Sequence, residues 1–167
     1  TLNGGSLYNC HLKNCTVSGR WISLFVVDAS GTYSIVNCSA DENCTISVWP
    51  GNNYGYLGGF VGSASGTLTM TGCVNRAAVT LENAGSANMP VGAFIGNLNG
   101  SATITGCTNY GTVTVNSHTL NVSGFVANCG GTNSVLTMTD CVNEGAITFA
   151  SDGTGYNVSA GGLLGSI

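Results

Sequence analysis

A repeat of about 34 residues limits this chain more than any other feature. Three segments superimpose almost without gaps: residues 58–80, 92–114 and 123–148, the last carrying three extra residues. A more divergent copy spans 23–46. An aromatic precedes a cysteine by thirteen residues in Phe25/Cys38, Phe60/Cys73 and Phe94/Cys107, and by sixteen in Phe125/Cys141. Those cysteines follow one another at steps of 35, 34 and 34. A period of this length points to stacked units, each too poor in apolar surface to form a core alone.

Each unit reads as three short strands. The first is the Gly-Phe-aliphatic-Gly segment. The second alternates, as in Leu68-Thr69-Met70-Thr71 and Leu136-Thr137-Met138-Thr139, the signature of a half-buried strand. The third alternates around Thr80, Thr114 and Thr148, and turns are expected at Asn109-Tyr110-Gly111 and Asn143-Glu144-Gly145, where Asn and Gly tolerate positive φ. The expected fold is all-β: a β-solenoid of about five coils in a single repeat domain spanning 1–167. It comprises a split coil 1–21, coils 22–57, 58–90, 91–121 and 122–157, and an opening half-coil 158–167. Stacking would place Phe25, Phe60, Phe94, Phe125 and Leu163 in one core ladder. A sandwich of ordinary hairpins would not hold so constant a period.

The two ends match each other. Residues 161–165 open a new unit, and the stretch around Cys10 and Cys15 closes one, like that around Cys38 and Cys44. If a second copy followed Ile167, Leu163 would precede its Cys10 by fourteen residues, close to the spacing elsewhere. The chain therefore reads as one period of a larger array. That array is either tandem modules or separate chains stacked head to tail, because uncapped solenoid ends template further pairing.

Only 6 % of residues are charged, the net charge is −4, and Gly, Ser, Thr and Asn make up nearly half the chain. Lys13, Arg20 and Arg76 are the only cations, too few to track a phosphate backbone, so nucleic acid is excluded as a partner. The longest apolar run is four residues, Leu24 to Val27, so no membrane span is expected. Glycines and the lack of a 3.6-residue period argue against helices.

The segments GGFVG, GAFIG and GGLLG, with alternating strands and G-C-x-N-x-G/A-x-V/I-T following the first two, resemble the GLUG-type glycine-rich repeats. The likeness is close over residues 58–165 and looser over 1–57. It implies a secreted or cell-surface protein, an elongated β-rich stalk or adhesin region, with no catalytic residue or cofactor to carry over. The chain departs from that pattern in having eight cysteines, with Cys15, Cys44 and Cys129 outside the repeated position.

That many cysteines suggests an oxidising, extracellular setting. Cys10/Cys15 and Cys38/Cys44 occupy the same two places in successive coils and are expected as disulfides stapling each turn, and Cys129 could bridge to Cys141. Cys73 and Cys107 lie one coil apart, where a stacked pairing is also feasible or both stay free. N-glycosylation acceptors occur at Asn14, Asn37, Asn43, Asn99, Asn121 and Asn157. Covalent glycans there would hydrate a charge-poor surface. Those at Asn14, Asn37 and Asn43 adjoin cysteines and are the poorer acceptors.

No catalytic constellation forms. Asp140 and Glu144 share a unit, but the equivalent places one repeat earlier are Gly106 and Tyr110, and no metal or cofactor motif is present. Asn75, Asn109 and Asn143 are expected as a structural amide ladder. Trp21 and Trp49, at matching places, are expected to stack in the core or on a neighbouring chain, with a sugar-binding platform as the alternative. The reading is an extracellular structural protein whose partners are other copies of itself. A rival is an adhesin module binding a glycan or host protein through loops 50–57, 82–90 and 128–134. A third is ice binding by Thr69/Thr71, Thr103/Thr105 and Thr137/Thr139, against which Ser34/Val36 and Ser6/Tyr8 interrupt the array.

Overall fold

The structure, a computed structural model, describes residues 2–48, 55–82, 89–116, 121–150 and 159–167. The chain is an all-β solenoid whose sheets are all parallel. Five columns of strands run along it, each five strands deep, and four turns of roughly 34 residues separate the first strand of a column from the fifth.

In chain order, column I holds Leu2–Tyr8, the second half of Val26–Val36, Thr67–Thr71, Ser101–Thr105 and Val135–Thr139. Column II holds His11–Leu12, Ser39–Ala40, Val74–Asn75, Thr108–Asn109 and Val142–Asn143. Column III holds Thr16–Gly19, Thr45–Val48, Ala78–Glu82, Val113–Asn116 and Ile147–Phe149. Column IV holds Ile22–Ser23, Leu57–Gly58, Val91–Gly92, Asn121–Ser123 and Ser159–Gly161. Column V holds the first half of Val26–Val36, Val61–Ala64, Ile95–Leu98, Val126–Asn128 and Leu164–Ser166. Columns I and V form one sheet because Val26–Val36 runs unbroken through both.

Each coil thus carries five strands where three were expected. The Gly-Phe-aliphatic-Gly segment is not one strand. Gly59-Phe60 is a bend between Leu57–Gly58 and Val61–Ala64, so the aromatic points inward at a corner. The bend demands close backbone approach: a Cβ on Gly58 would lie 1.9 Å from the Val61 carbonyl oxygen. Column II, with two residues per strand, is too short for alternation to reveal.

The left-handed corners also fall elsewhere than expected. They precede the repeated cysteine: Asn9, Asn37, Gly72, Gly106 and Asp140 all have φ between +52° and +62°. Each makes the sharp turn from column I to column II that Gly, Asn and Asp tolerate. Gly111 and Gly145 are not left-handed, and Asn109 beside them is buried.

Inward positions stack like on like. Phe25, Phe60, Phe94 and Phe125 form a column of near-parallel rings with centroids 4.4, 4.7 and 4.5 Å apart. The rungs are spaced as parallel strands, about 4.8 Å, so an offset face-to-face stack is the arrangement open to the rings. Met70, Ile104, Val79, Val113, Leu81 and Val115 are fully buried beside them. Leu163 holds the fifth place of the aromatic ladder and is 40 % exposed because no rung covers it.

Candidate functional site: the two open ends

The inner rungs use several polar ladders to settle their corners. Asn75 donates from Nδ2 to Asn109 Oδ1 at 2.8 Å, and Asn109 to Asn143 Oδ1 at 2.7 Å. Each of the three amides also donates to a carbonyl two residues on: Ala77, Gly111 and Gly145. The expected asparagine ladder is therefore present. A second one, not foreseen, joins Asn121, Asn128 and Asn97 at 3.3 and 2.7 Å. Asn97 and Asn128 both stand three residues after the ladder phenylalanine, but Ser63 and Asp28 hold that place in the earlier rungs, so no repeated amide marks it.

The cysteines are a correction. All eight are free, so the staples expected between Cys10 and Cys15, Cys38 and Cys44, and Cys129 and Cys141 do not form. The two cysteines of a coil flank column II from opposite corners, Cys10 before His11–Leu12 and Cys15 before Thr16–Gly19. Cys38 packs in the main core and Cys44 in a separate small cluster with Ala40 and Ala77. Cys129 lies at the end of Val126–Asn128, on the far side of column I from Cys141. The repeated cysteines Cys10, Cys38, Cys73, Cys107 and Cys141 line one vertical column instead.

Every thiol in that column donates back over its left-handed corner to the carbonyl two residues earlier: Tyr8, Val36, Thr71, Thr105 and Thr139, at 3.4 to 3.6 Å. The cysteine is a small apolar residue that also satisfies a carbonyl at the bend. Burial pushes the Cys38, Cys44 and Cys129 thiols up. The Cys73 thiol, and then burial, push Cys107 up. These groups are held as neutral thiols.

At the two end rungs the ladders stop. Nothing among the described residues pairs with the outer edges of His11–Leu12, Thr16–Gly19 and Ile22–Ser23 at one end. The same holds for Val135–Thr139, Val142–Asn143, Ile147–Phe149, Ser159–Gly161 and Leu164–Ser166 at the other. Leu2 and Asn3 cover the outer edge of Ala29 and Ser30 only. Six of the seven exposed large hydrophobics among the described residues belong to these rungs: Tyr8, Trp21, Val135, Val142, Leu163 and Ile167. Leu7, Val17 and Phe25 at one end, and Met138, Ile147 and Phe149 at the other, are only partly buried, whereas their inner-rung counterparts are fully so.

The faces share one register. Met138 stands in the column of Leu7, Ile147 in that of Val17, Leu163 in that of Phe25 and Leu164 in that of Val26. Laid rung on rung, these four core positions meet apolar partners, while Asn143, the last amide of its ladder, falls on Leu12. Leu136 and Phe149 fall on the glycine positions Gly5 and Gly19, large against small.

The lateral surface is hydroxylic. Thr69, Thr71, Thr103, Thr137 and Thr139 point outward in column I, continued by Ser34 and Ser6, whose hydroxyls touch at 2.7 Å. Among the glycosylation acceptors, Asn14, Asn37, Asn43 and Asn99 are exposed. Asn121 spends its amide on Asn128, and Asn157 lies outside the described residues, as do Trp49 and most of loops 50–57 and 82–90. Loop 128–134 packs Ser134 onto the Leu98 carbonyl at 3.1 Å. Asp140 and Glu144 are exposed at separate corners, and the described residues hold no cluster of three or more metal-ligating side chains. No helix among them is long and apolar enough to cross a membrane.

No protein-family model, curated protein or solved structure matches the chain. The fold defines a class: an all-β solenoid of parallel sheets, about four turns of roughly 34 residues.

Proposed function

We propose that this chain is a structural module whose activity is to extend: copies stack head to tail, the fifth rung of one on the first rung of the next, and build a rod. The observation that carries the reading is the shared register of the two end faces, where Met138, Ile147, Leu163 and Leu164 stand over the column places of Leu7, Val17, Phe25 and Val26. Open strand edges template further pairing. A head-to-tail contact between unlike faces is heterologous and does not close on itself. The driving force is the burial of partly open core side chains and the capping of unpaired peptide groups.

A rod of this composition suits a surface outside the cell. Its sides offer hydroxyls and exposed acceptor asparagines rather than charge, and attached glycans would keep such a rod hydrated. The likeness to GLUG-type repeats points the same way.

Electron microscopy of the purified chain across a concentration series tests the reading. The expected result is unbranched rods with an axial repeat of about 24 Å, five rungs at about 4.8 Å each. Discrete particles one module long at every concentration would overturn it.

A further inference from the structure

Four of the ten charged residues stand in one line. The residue after Leu12, Ala40, Asn75, Asn109 and Asn143, which are in register in column II, is Lys13, Asp41, Arg76, Tyr110 and Glu144. The backbone confirms the alignment. The N–H groups of Asp41, Arg76, Tyr110 and Glu144 donate in turn to the carbonyls of Leu12, Ala40, Asn75 and Asn109, at 2.7 to 3.1 Å. The column therefore reads cation, anion, cation, aromatic ring, anion.

Two contacts are made from this column. Asp41 reaches the first rung, accepting the Asn14 N–H at 3.3 Å, and the Arg76 guanidinium lies 4.7 Å above the Tyr110 ring, a cation–π contact. Lys13 and Glu144, at the two ends, are both exposed. The end rungs differ in overall sign as well. Two of the three cations, Lys13 and Arg20, lie in the first, and the fifth carries acids and no cation.

We infer that Glu144 of one copy pairs with Lys13 of the next across the stacking junction, and that this corner column sets the polarity and register of the rod. The inference rests on the stacking reading and names the contact that selects its partner. A strand stack held by apolar contacts and backbone pairing alone tolerates slips and reversed encounters. Meeting head to head brings together two first rungs, each with Lys13 and Arg20, and tail to tail brings together two fifth rungs that carry acids and no cation. Only the head-to-tail approach continues the alternation. Such pairs add modest affinity but direct the encounter and exclude wrong partners. Asp140, the other described acid of the fifth rung, stands in the column of Asn9, a neutral amide that can donate to it.

The test is a charge-reversal set on the whole chain. Glu144→Lys puts Lys over Lys at every junction, and Lys13→Glu puts Glu over Glu. Each alone should need about three- to tenfold more protein to form rods at low salt, with the difference lost near 1 M salt, where the screening length is about 3 Å. Mixed in equal amounts, the two variants make every alternating junction attractive, and assembly should return to that of the unaltered chain. Lys13→Glu also sets Glu beside Asp41 within one chain, which mixing does not relieve, so recovery reports on the junction. Circular dichroism confirms folding, and Glu144→Gln and Lys13→Gln should give smaller shifts in the same direction. If unaltered chains form rods and the reversed variants do so equally well, or the mixture does no better than either alone, this pairing is overturned and stacking stands. If the unaltered chain forms no rods, the stacking reading itself has failed.

Discussion

Asn75 passes a hydrogen bond from Nδ2 to Asn109 Oδ1 at 2.8 Å, one full turn further along the chain. Asn109 hands it on to Asn143, so Asn109 is donor and acceptor at once, fully buried. Asn109→Ala leaves the Asn75 donor, the Asn143 acceptor and the Gly111 carbonyl short of partners, and should cost about 2–4 kcal/mol. Chemical denaturation measures it. A loss within experimental error would mean that the ladder contributes nothing.

The aromatic ladder should show the same dependence on depth. Phe94 lies between Phe60 and Phe125 with no exposed surface, and Phe94→Ala should cost about 3–5 kcal/mol. Phe25 is half-buried on the first rung. Phe25→Ala should cost clearly less in a single chain, and approach the Phe94 value once rods form and cover it.

Tyr33 points into the core at 2 % exposure, and its hydroxyl has no hydrogen-bond partner. Leu68, Ala102 and Leu136 occupy its place in other rungs. Tyr33→Phe removes the buried, unpaired hydroxyl and should stabilise the fold by about 1 kcal/mol, read as a higher denaturation midpoint.

The thiols set an alkaline limit. Burial raises Cys38, Cys44 and Cys129, the Cys73 thiol and burial raise Cys107, and burial raises Tyr33. A folded-state pKa above the unfolded value means that the folded chain keeps protons the unfolded chain releases. Stability is therefore full below about pH 8.5, the ordinary thiol value, and falls as pH rises beyond it. Thermal unfolding across pH 7 to 11 should show a steady drop in midpoint. A midpoint independent of pH there would contradict the buried-thiol column.

The corner glycines separate two constraints. Gly106 is left-handed at φ +61° and an added Cβ there meets nothing within 4 Å. Gly106→Ala should cost about 1–2 kcal/mol from backbone strain, and Gly106→Asn less, since Asn9 and Asn37 already hold the same corner. Gly58→Ala, with the Val61 carbonyl oxygen in the way, should prevent the coil from closing, seen as loss of the folded circular dichroism signal.

Sequence alone determined the stacking. The 34-residue period put Phe on Phe and Asn on Asn, because parallel in-register strands carry equivalent residues straight up the coil. Only the tertiary structure decided how a coil bends. Strands of two residues carry no alternation, and a left-handed residue such as Asp140 differs from any other Asp only through the corner it must turn. The same holds for the cysteines. Spacing placed Cys10 near Cys15 along the chain, whereas the fold sends them to different corners and gives each repeated thiol a carbonyl to bond. The charge line of Lys13, Asp41, Arg76, Tyr110 and Glu144 was hidden for a related reason: its members share no chemistry, and only the register of column II brings them together.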